Sequence, residues 1–92
     1  MTPARERPLT REQIHKRLWD MAAKQFDKDV QELRPESRLV QDLGADSLDV
    51  AELSMEVEDQ LGVVLPNELL ENANLTLGDV EQAVWERHQE GK

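Results

Sequence analysis

One hydroxyl in this chain stands where chemistry is easiest to do. Ser47 lies in the run Leu43-Gly44-Ala45-Asp46-Ser47-Leu48-Asp49, where a glycine-broken loop gives way to residues with helical spacing. A serine at the start of a helix presents its hydroxyl to solvent. The free backbone N–H groups and the positive dipole end favour an attached anion there, a phosphate above all. Asp46 and Asp49 flank it. The plainer reading of the same residues is that Asp46 or Ser47 caps the helix and does nothing more.

Other chemistries fail on residue type. A nucleophile needs a base within hydrogen-bond reach. The only histidines, His15 and His88, fall on the first and last expected helices, on polar faces where solvated side chains are expected. There is no glycine-rich phosphate loop and no histidine pair at metal-ligand spacing. Asp42, Gly44 and Asp46 alternate as in a calcium-binding EF-hand. Counting from Asp42, however, puts Ser47 at the position that needs glycine and Leu53 at the one that needs glutamate. A count from Asp27 ends on Arg38 and fails as well. With zero Cys, a disulfide framework, a Cys-based zinc site and a thiol nucleophile all drop out. Neither a catalytic residue nor a metal site is expected.

The neighbours of Ser47 add a surface. At about 100° per residue, Asp49, Glu52, Glu56 and Asp59 form a stripe continuing from Ser47, with Leu48, Ala51 and Met55 beside it. From Leu39 to Trp85 there are 11 acids and no Lys or Arg. An acidic stripe is ordinarily a solvated face. Here no base interrupts it, so like-charge repulsion between neighbouring turns is uncompensated. A self-repelling stripe edged with apolar Leu48 and Met55 reads as a docking surface for basic partners, with long-range steering as its benefit.

Four helices must position these groups. Thr10 with Gln13 forms a capping-box pattern, and Ile14, Leu18, Met21 and Ala22 follow as one apolar stripe that fades near Gln25. Trp19 and Phe26 widen that face. Gln31 to Arg38 contains Pro35 and Ser37 and reads as a long loop, which Leu33, Leu39, Val40 and Leu43 tack onto the core. The second helix starts at Asp46-Ser47, turns Val50, Leu53, Val57 and Leu61 inward, and stops at Gly62. Val63-Val64-Leu65-Pro66 is extended, since the residue before proline avoids the α region. Asn67 is expected to cap a short helix carrying Leu69 and Leu70. A last helix runs from about Thr76 to His88 with Leu77, Val80 and Val84 inward and Gly78 as a mild weakness. Trp19 and Trp85 are expected to be core or half-exposed packing residues. The fold class is all-α: a small antiparallel-type bundle of three longer helices plus one short helix.

Length and charge close off further classes. Ninety-two residues make one domain, which buries roughly 60–65% of its unfolded surface. A net charge of −9 opposes sequence-independent nucleic-acid binding, because phosphates need basic neutralisation. No apolar run approaches the length that spans a bilayer, and Met1 to Leu9 lacks the apolar stretch of a signal peptide. The expectation is a monomeric, cytoplasmic, acidic protein: residues 1–9 a flexible tail, 10–89 the domain, 90–92 a second tail.

The stretch from about Ser37 to Val84 resembles the acyl carrier proteins, the phosphopantetheine-bearing carriers of fatty-acid and polyketide synthesis. The matching residues are Leu43 to Asp49, then Glu52-Leu53, Glu56, Glu58, Leu61-Gly62 and Leu65-Pro66. The order helix, loop, helix, short helix, helix agrees over nearly the whole chain. The resemblance implies that Ser47 is esterified to 4′-phosphopantetheine, donated from coenzyme A by a separate magnesium-dependent phosphopantetheinyl transferase. Substrates then ride as thioesters on the arm, whose thiol makes good the absence of Cys. It further implies a partner-recognition face of Asp46, Leu48, Asp49, Glu52, Met55 and Glu56 for ketosynthase-type, acyl-transferring and other synthase enzymes with basic docking patches. An acyl chain folding back among Leu53, Val57, Leu61, Leu65 and Leu70 is implied too, although such a Leu/Val stripe is ordinarily plain core.

Three departures bear on which carrier this resembles. Ala51 stands where many relatives carry a larger aliphatic. Asn67 to Thr76 is longer than in housekeeping fatty-acid carriers, and Leu69-Leu70 is similar to carriers of polyketide systems. Two alternatives stand beside the acyl carrier: a carrier of aminoacyl or peptidyl groups on the same fold and arm, and an unmodified acidic interaction module in which Ser47 is only a cap.

Overall fold

The structure is a computed structural model that describes residues 9–90, with Glu90 described in its backbone alone. Residues 1–8 of the expected N-terminal tail, and 91–92 of the C-terminal one, lie outside the described residues. Leu9 packs against the core, and its amide donates to His88 Nε2 at 2.8 Å.

Four α-helices and one 3-10 turn make up the described fold, with no named strand among the described residues. Helix α1 (Arg11–Phe26) begins at Thr10, whose hydroxyl accepts from Gln13 N while the Gln13 side chain accepts from Thr10 N. That reciprocal pair satisfies two donors the first turn would otherwise leave unmade. Ile14, Leu18, Met21, Ala22 and Phe26 are all buried, and Trp19 joins them. The helix ends at Asp27, which turns left-handed at φ 56°. Helix α2 (Ser47–Leu61) buries Val50, Leu53, Val57 and Leu61 and stops where Gly62 takes φ 69°, a conformation without penalty only for glycine. A short α3 (Asn67–Leu70) follows, then α4 (Leu77–Glu90). Helix α1 packs against α2 on one side and α4 on the other. Each fully buried aliphatic side chain in this shared core contributes about 1.5–3 kcal/mol relative to an exposed one.

The long loop between α1 and α2 departs from a plain polar connector. It opens with a 3-10 turn (Val30–Glu32) that the sequence reading did not anticipate. It is then strapped across the bundle: Leu77 N donates to Ser37 O, Gly78 N to Pro35 O and Leu39 N to Leu75 O, around an isolated bridge between Arg38 and Thr76. The indole N–H of Trp19 reaches Leu33 O from beneath, at 3.2 Å. Leu33, Leu39 and Leu43 are buried as expected; Val40 is not, being 46% exposed. The strap bonds fix Leu39 inward, and its neighbour is turned out to solvent.

Two further expectations are corrected. Asn67 does not cap α3; Pro66 holds the cap position, no side chain serves it, and Asn67 is the first helical residue. The histidines are not free in solvent. His15 Nδ1 lies 2.7 Å from Glu81 Oε1 and its ring stacks on Trp19 at 3.9 Å. Glu81, on α4 and only 8% exposed, also accepts from Arg11 Nε at 2.7 Å. The Arg11 guanidinium lies over the ring of half-buried Trp85, 5.8 Å from its centroid. A buried carboxylate is costly unless it is paired and hydrogen-bonded, and Glu81 is both, so this cluster ties α4 to α1.

Candidate functional site

The strap delivers the chain to α2 through a tight turn. Asp42 N and Leu43 N donate to Arg38 O, Gly44 N to Val40 O and Ala45 N back to Leu39 O. Gly44 has φ 73°, and a Cβ there would meet nothing within 4 Å, so the backbone conformation and not crowding selects glycine. Ala45 is buried behind it. The turn is clasped by Asp42, which accepts from the Arg38 backbone N–H at 2.8 Å and from Arg38 Nε at 3.3 Å. These contacts, the backbone bond foremost, hold the Asp42 carboxyl below its ordinary value of 3.8.

Asp46 is extended and takes the cap position of α2. Its carboxylate accepts from Asp49 N at 2.9 Å, and the Asp49 carboxylate accepts from Asp46 N at 3.1 Å. Of the two candidates for the cap, then, it is Asp46 that serves. Ser47 is the first residue of the helix, solvent-exposed. It stands at the positive end of a 15-residue helix.

The residues named with Ser47 fall on one exposed face. Asp46, Glu52 and Glu56 are exposed and Asp49 is half-buried. Leu48 and Met55 are 63% and 65% exposed, unusually open for large apolar side chains, and Ala51 lies exposed between them. Such side chains in a row beside acids leave α2 with an apolar-edged face that stays open among the described residues. Leu53, Val57, Leu61 and Leu65 are instead filled core positions, and Leu70 is half-buried on α3.

One participant had no signal in the sequence. Gln25, at the end of α1 where the apolar pattern fades, donates from Nε2 to Glu52 Oε1 at 2.7 Å and to Asp49 Oδ1 at 3.5 Å. The acidic stripe is therefore not wholly uncompensated. Glu56 likewise accepts from Gln60 Nε2 at 2.6 Å. The compensation comes from neutral donors, which leave the charge of the face intact.

Chemically the site offers an exposed alcohol at the start of a helix. His15 is engaged by Glu81 and His88 by the Leu9 amide, and no group of three or more side chains placed to hold a metal ion occurs among the described residues. An alcohol released from capping, on the exposed side of a helix start, fits a covalently attached phosphate-linked group. Accepting one displaces no packed neighbour.

The chain is similar to known proteins over most of its length. The family model described as "Phosphopantetheine attachment site" matches residues 16–84, a stretch that contains α2 and the strap. The chain is 36% identical over 76 residues to the "Acyl carrier protein" of Chlorobium luteolum, covering 83% of this chain and 92% of that protein. The "Acyl carrier protein" of Chlorobium phaeovibrioides gives the same identity and coverage. With most of its length matched in this way, the chain belongs to the acyl carrier protein family and contains that family's phosphopantetheine attachment domain.

Proposed function

We propose that Ser47 is the residue esterified to 4′-phosphopantetheine and that the protein carries acyl intermediates between enzymes of fatty-acid or polyketide-type synthesis. The observation that carries this reading is the division of labour at the start of α2: Asp46 caps, and the adjacent Ser47 hydroxyl stays exposed. When bound, the prosthetic group supplies the terminal thiol that a chain with zero Cys lacks. The rest of the work is display. The strap and the Gly44 turn fix where α2 begins, and α2 offers Leu48 and Met55 among Asp49, Glu52 and Glu56.

That face suits a phosphopantetheinyl transferase and synthase enzymes with basic docking patches, since the acids steer encounter and the exposed apolar side chains give contact once docked. The likeness to carrier proteins also supports the cytoplasm as the place of work and a monomer as the working form. An acyl chain folding back into the bundle would have to part Leu53, Val57, Leu61 and Leu65, with Leu70 at the edge. The density of acids favours an acyl over a peptidyl cargo. An unmodified interaction module would use the same acidic face and leave Ser47 as a plain first residue of α2, and modification of Ser47 is what separates the two readings.

Incubation with coenzyme A, magnesium and a broad-specificity transferase, followed by intact mass, tests the proposal. The expected result is one added phosphopantetheinyl group on the wild type and none on Ser47→Ala. A wild type that gains nothing would leave only the interaction module.

A further inference from the structure

Gln25 is a residue of α1, yet its side-chain amide donates to the recognition face of α2. Its single amide group spans two carboxylates one turn apart: Glu52 Oε1 at 2.7 Å and Asp49 Oδ1 at 3.5 Å. Asp49 is at the same time half of the capping box, its other oxygen accepting from Asp46 N at 3.1 Å. A chain of contacts thus runs from the end of α1 through Asp49 to the residue immediately before Ser47. Gln25 also lines an open groove with Glu52, Met55, Glu56, Glu58 and Asp59.

The choice of a neutral donor has a physical consequence. Asp49 and Glu52 stand three residues apart on α2, a spacing at which like charges repel. A lysine from α1 would remove that repulsion and with it one charge of the steering field. An amide donates to both carboxylates and removes no charge. It also holds two side chains that would otherwise sample several rotamers, so a basic partner meets them already placed.

We propose that Gln25 is a positioning residue for partner docking: it holds the Glu52 and Asp49 carboxylates in register with Ser47. This rests on the reading of Ser47 as the attachment site. Ordering one side chain in advance, that of Glu52 in the shorter contact, corresponds to about a two- to tenfold difference in partner affinity. Gln25→Ala is therefore expected to raise the KM of phosphopantetheinyl transfer about two- to tenfold and to leave kcat within about twofold.

The experiment is a double-mutant cycle on that reaction, with wild type, Gln25→Ala, Glu52→Ala and the double variant, and with Ser47→Ala as the blank. Alanine keeps the helix at this half-buried position, and circular dichroism checks that it does. Gln25→Glu is the second variant. It keeps the shape but replaces the donor with a third carboxylate, and it is expected to raise KM at high salt, where the added charge no longer contributes to steering. The inference stands if the Gln25→Ala penalty appears in KM and largely vanishes when Glu52 is already absent. It is overturned, with the Ser47 reading intact, if modified wild type and Gln25→Ala share one KM, if the loss is in kcat, or if the penalty is as large without Glu52. A wild type that is not modified at all removes the Ser47 reading itself and this inference with it.

Discussion

Gly78→Ala sets two effects of similar size against each other, and the structure decides between them. By helix propensity alone the substitution in α4 should stabilise by up to about 0.8–1.0 kcal/mol, and by less at the second position of a helix, where the first turn is only partly formed. Space opposes it. A Cβ at Gly78 would meet Pro35 O at 3.0 Å and Pro35 Cβ at 3.3 Å, and the same Pro35 oxygen accepts the Gly78 N–H at 2.7 Å. Pro35 would have to retreat by a few tenths of an ångström. It is poorly placed to do so, because Leu77 N holds Ser37 O at 3.0 Å, Leu39 N holds Leu75 O at 3.0 Å and Trp19 holds Leu33 O at 3.2 Å. Overpacking of this kind costs about 1–3 kcal/mol, with a further fraction of the roughly 0.5–1.5 kcal/mol of the strained hydrogen bond. The predicted net is a destabilisation of about 1–2 kcal/mol, or roughly 4–16 °C in Tm for a domain of this size. Urea unfolding followed by Trp19 and Trp85 fluorescence measures it, the midpoint moving at constant m. A variant as stable as the wild type, or more so, would refute the claim that the strap is fixed and that Gly78 is there for clearance.

Three further outcomes follow from the same contacts. Glu81→Ala removes the shared partner of Arg11 and His15; because both are about half-exposed, the charge-assisted bonds are discounted to a loss of about 1–2 kcal/mol in urea unfolding, and no change would mean that the cluster does not tie α4 to α1. The Asp42 carboxyl, held down by the Arg38 backbone N–H and guanidinium, should titrate by NMR with a midpoint below 3.8, so its contribution to the turn is present above that pH and fades as pH falls through the lower folded value; a midpoint at or above 3.8 would contradict the clasp. Charge reversal of Glu52 and Glu56 to Lys should slow transferase modification at low salt and approach the wild-type rate toward 1 M, where the Debye length is about 3 Å; a salt-independent effect would argue against steering.

The bundle was largely legible because its signals are local. Ile14, Leu18, Met21 and Ala22 on α1, and Val50, Leu53, Val57 and Leu61 on α2, are buried as their spacing requires. The Thr10–Gln13 box and the Gly62 stop lie where the residue types put them. What escaped depends on how distant segments pack. Val40 is as apolar as Leu39, and only the strap bonds to the residues around Thr76 decide which of the two is buried. Gly78 looks like a weakness until Pro35 lies against it. His15 and Glu81 are 66 residues apart, and no local pattern joins them. Gln25 is polar on a fading helix end, and its meaning appears only when α2 lies alongside. Along α2, the exposed positions of Ser47, Leu48, Glu52, Met55 and Glu56 were readable. The assignment of the cap to Asp46 was not, since both residues are good caps.

What is attached to Ser47 in the cell decides the function of this protein. Intact mass of the protein purified from its own host, with fragmentation to locate any addition, tests it directly. The prediction is a single phosphopantetheinyl group on Ser47, bearing acyl cargo on a fraction of molecules. Protein from growing cells that is uniformly unmodified, or that carries the group on another residue, would contradict it.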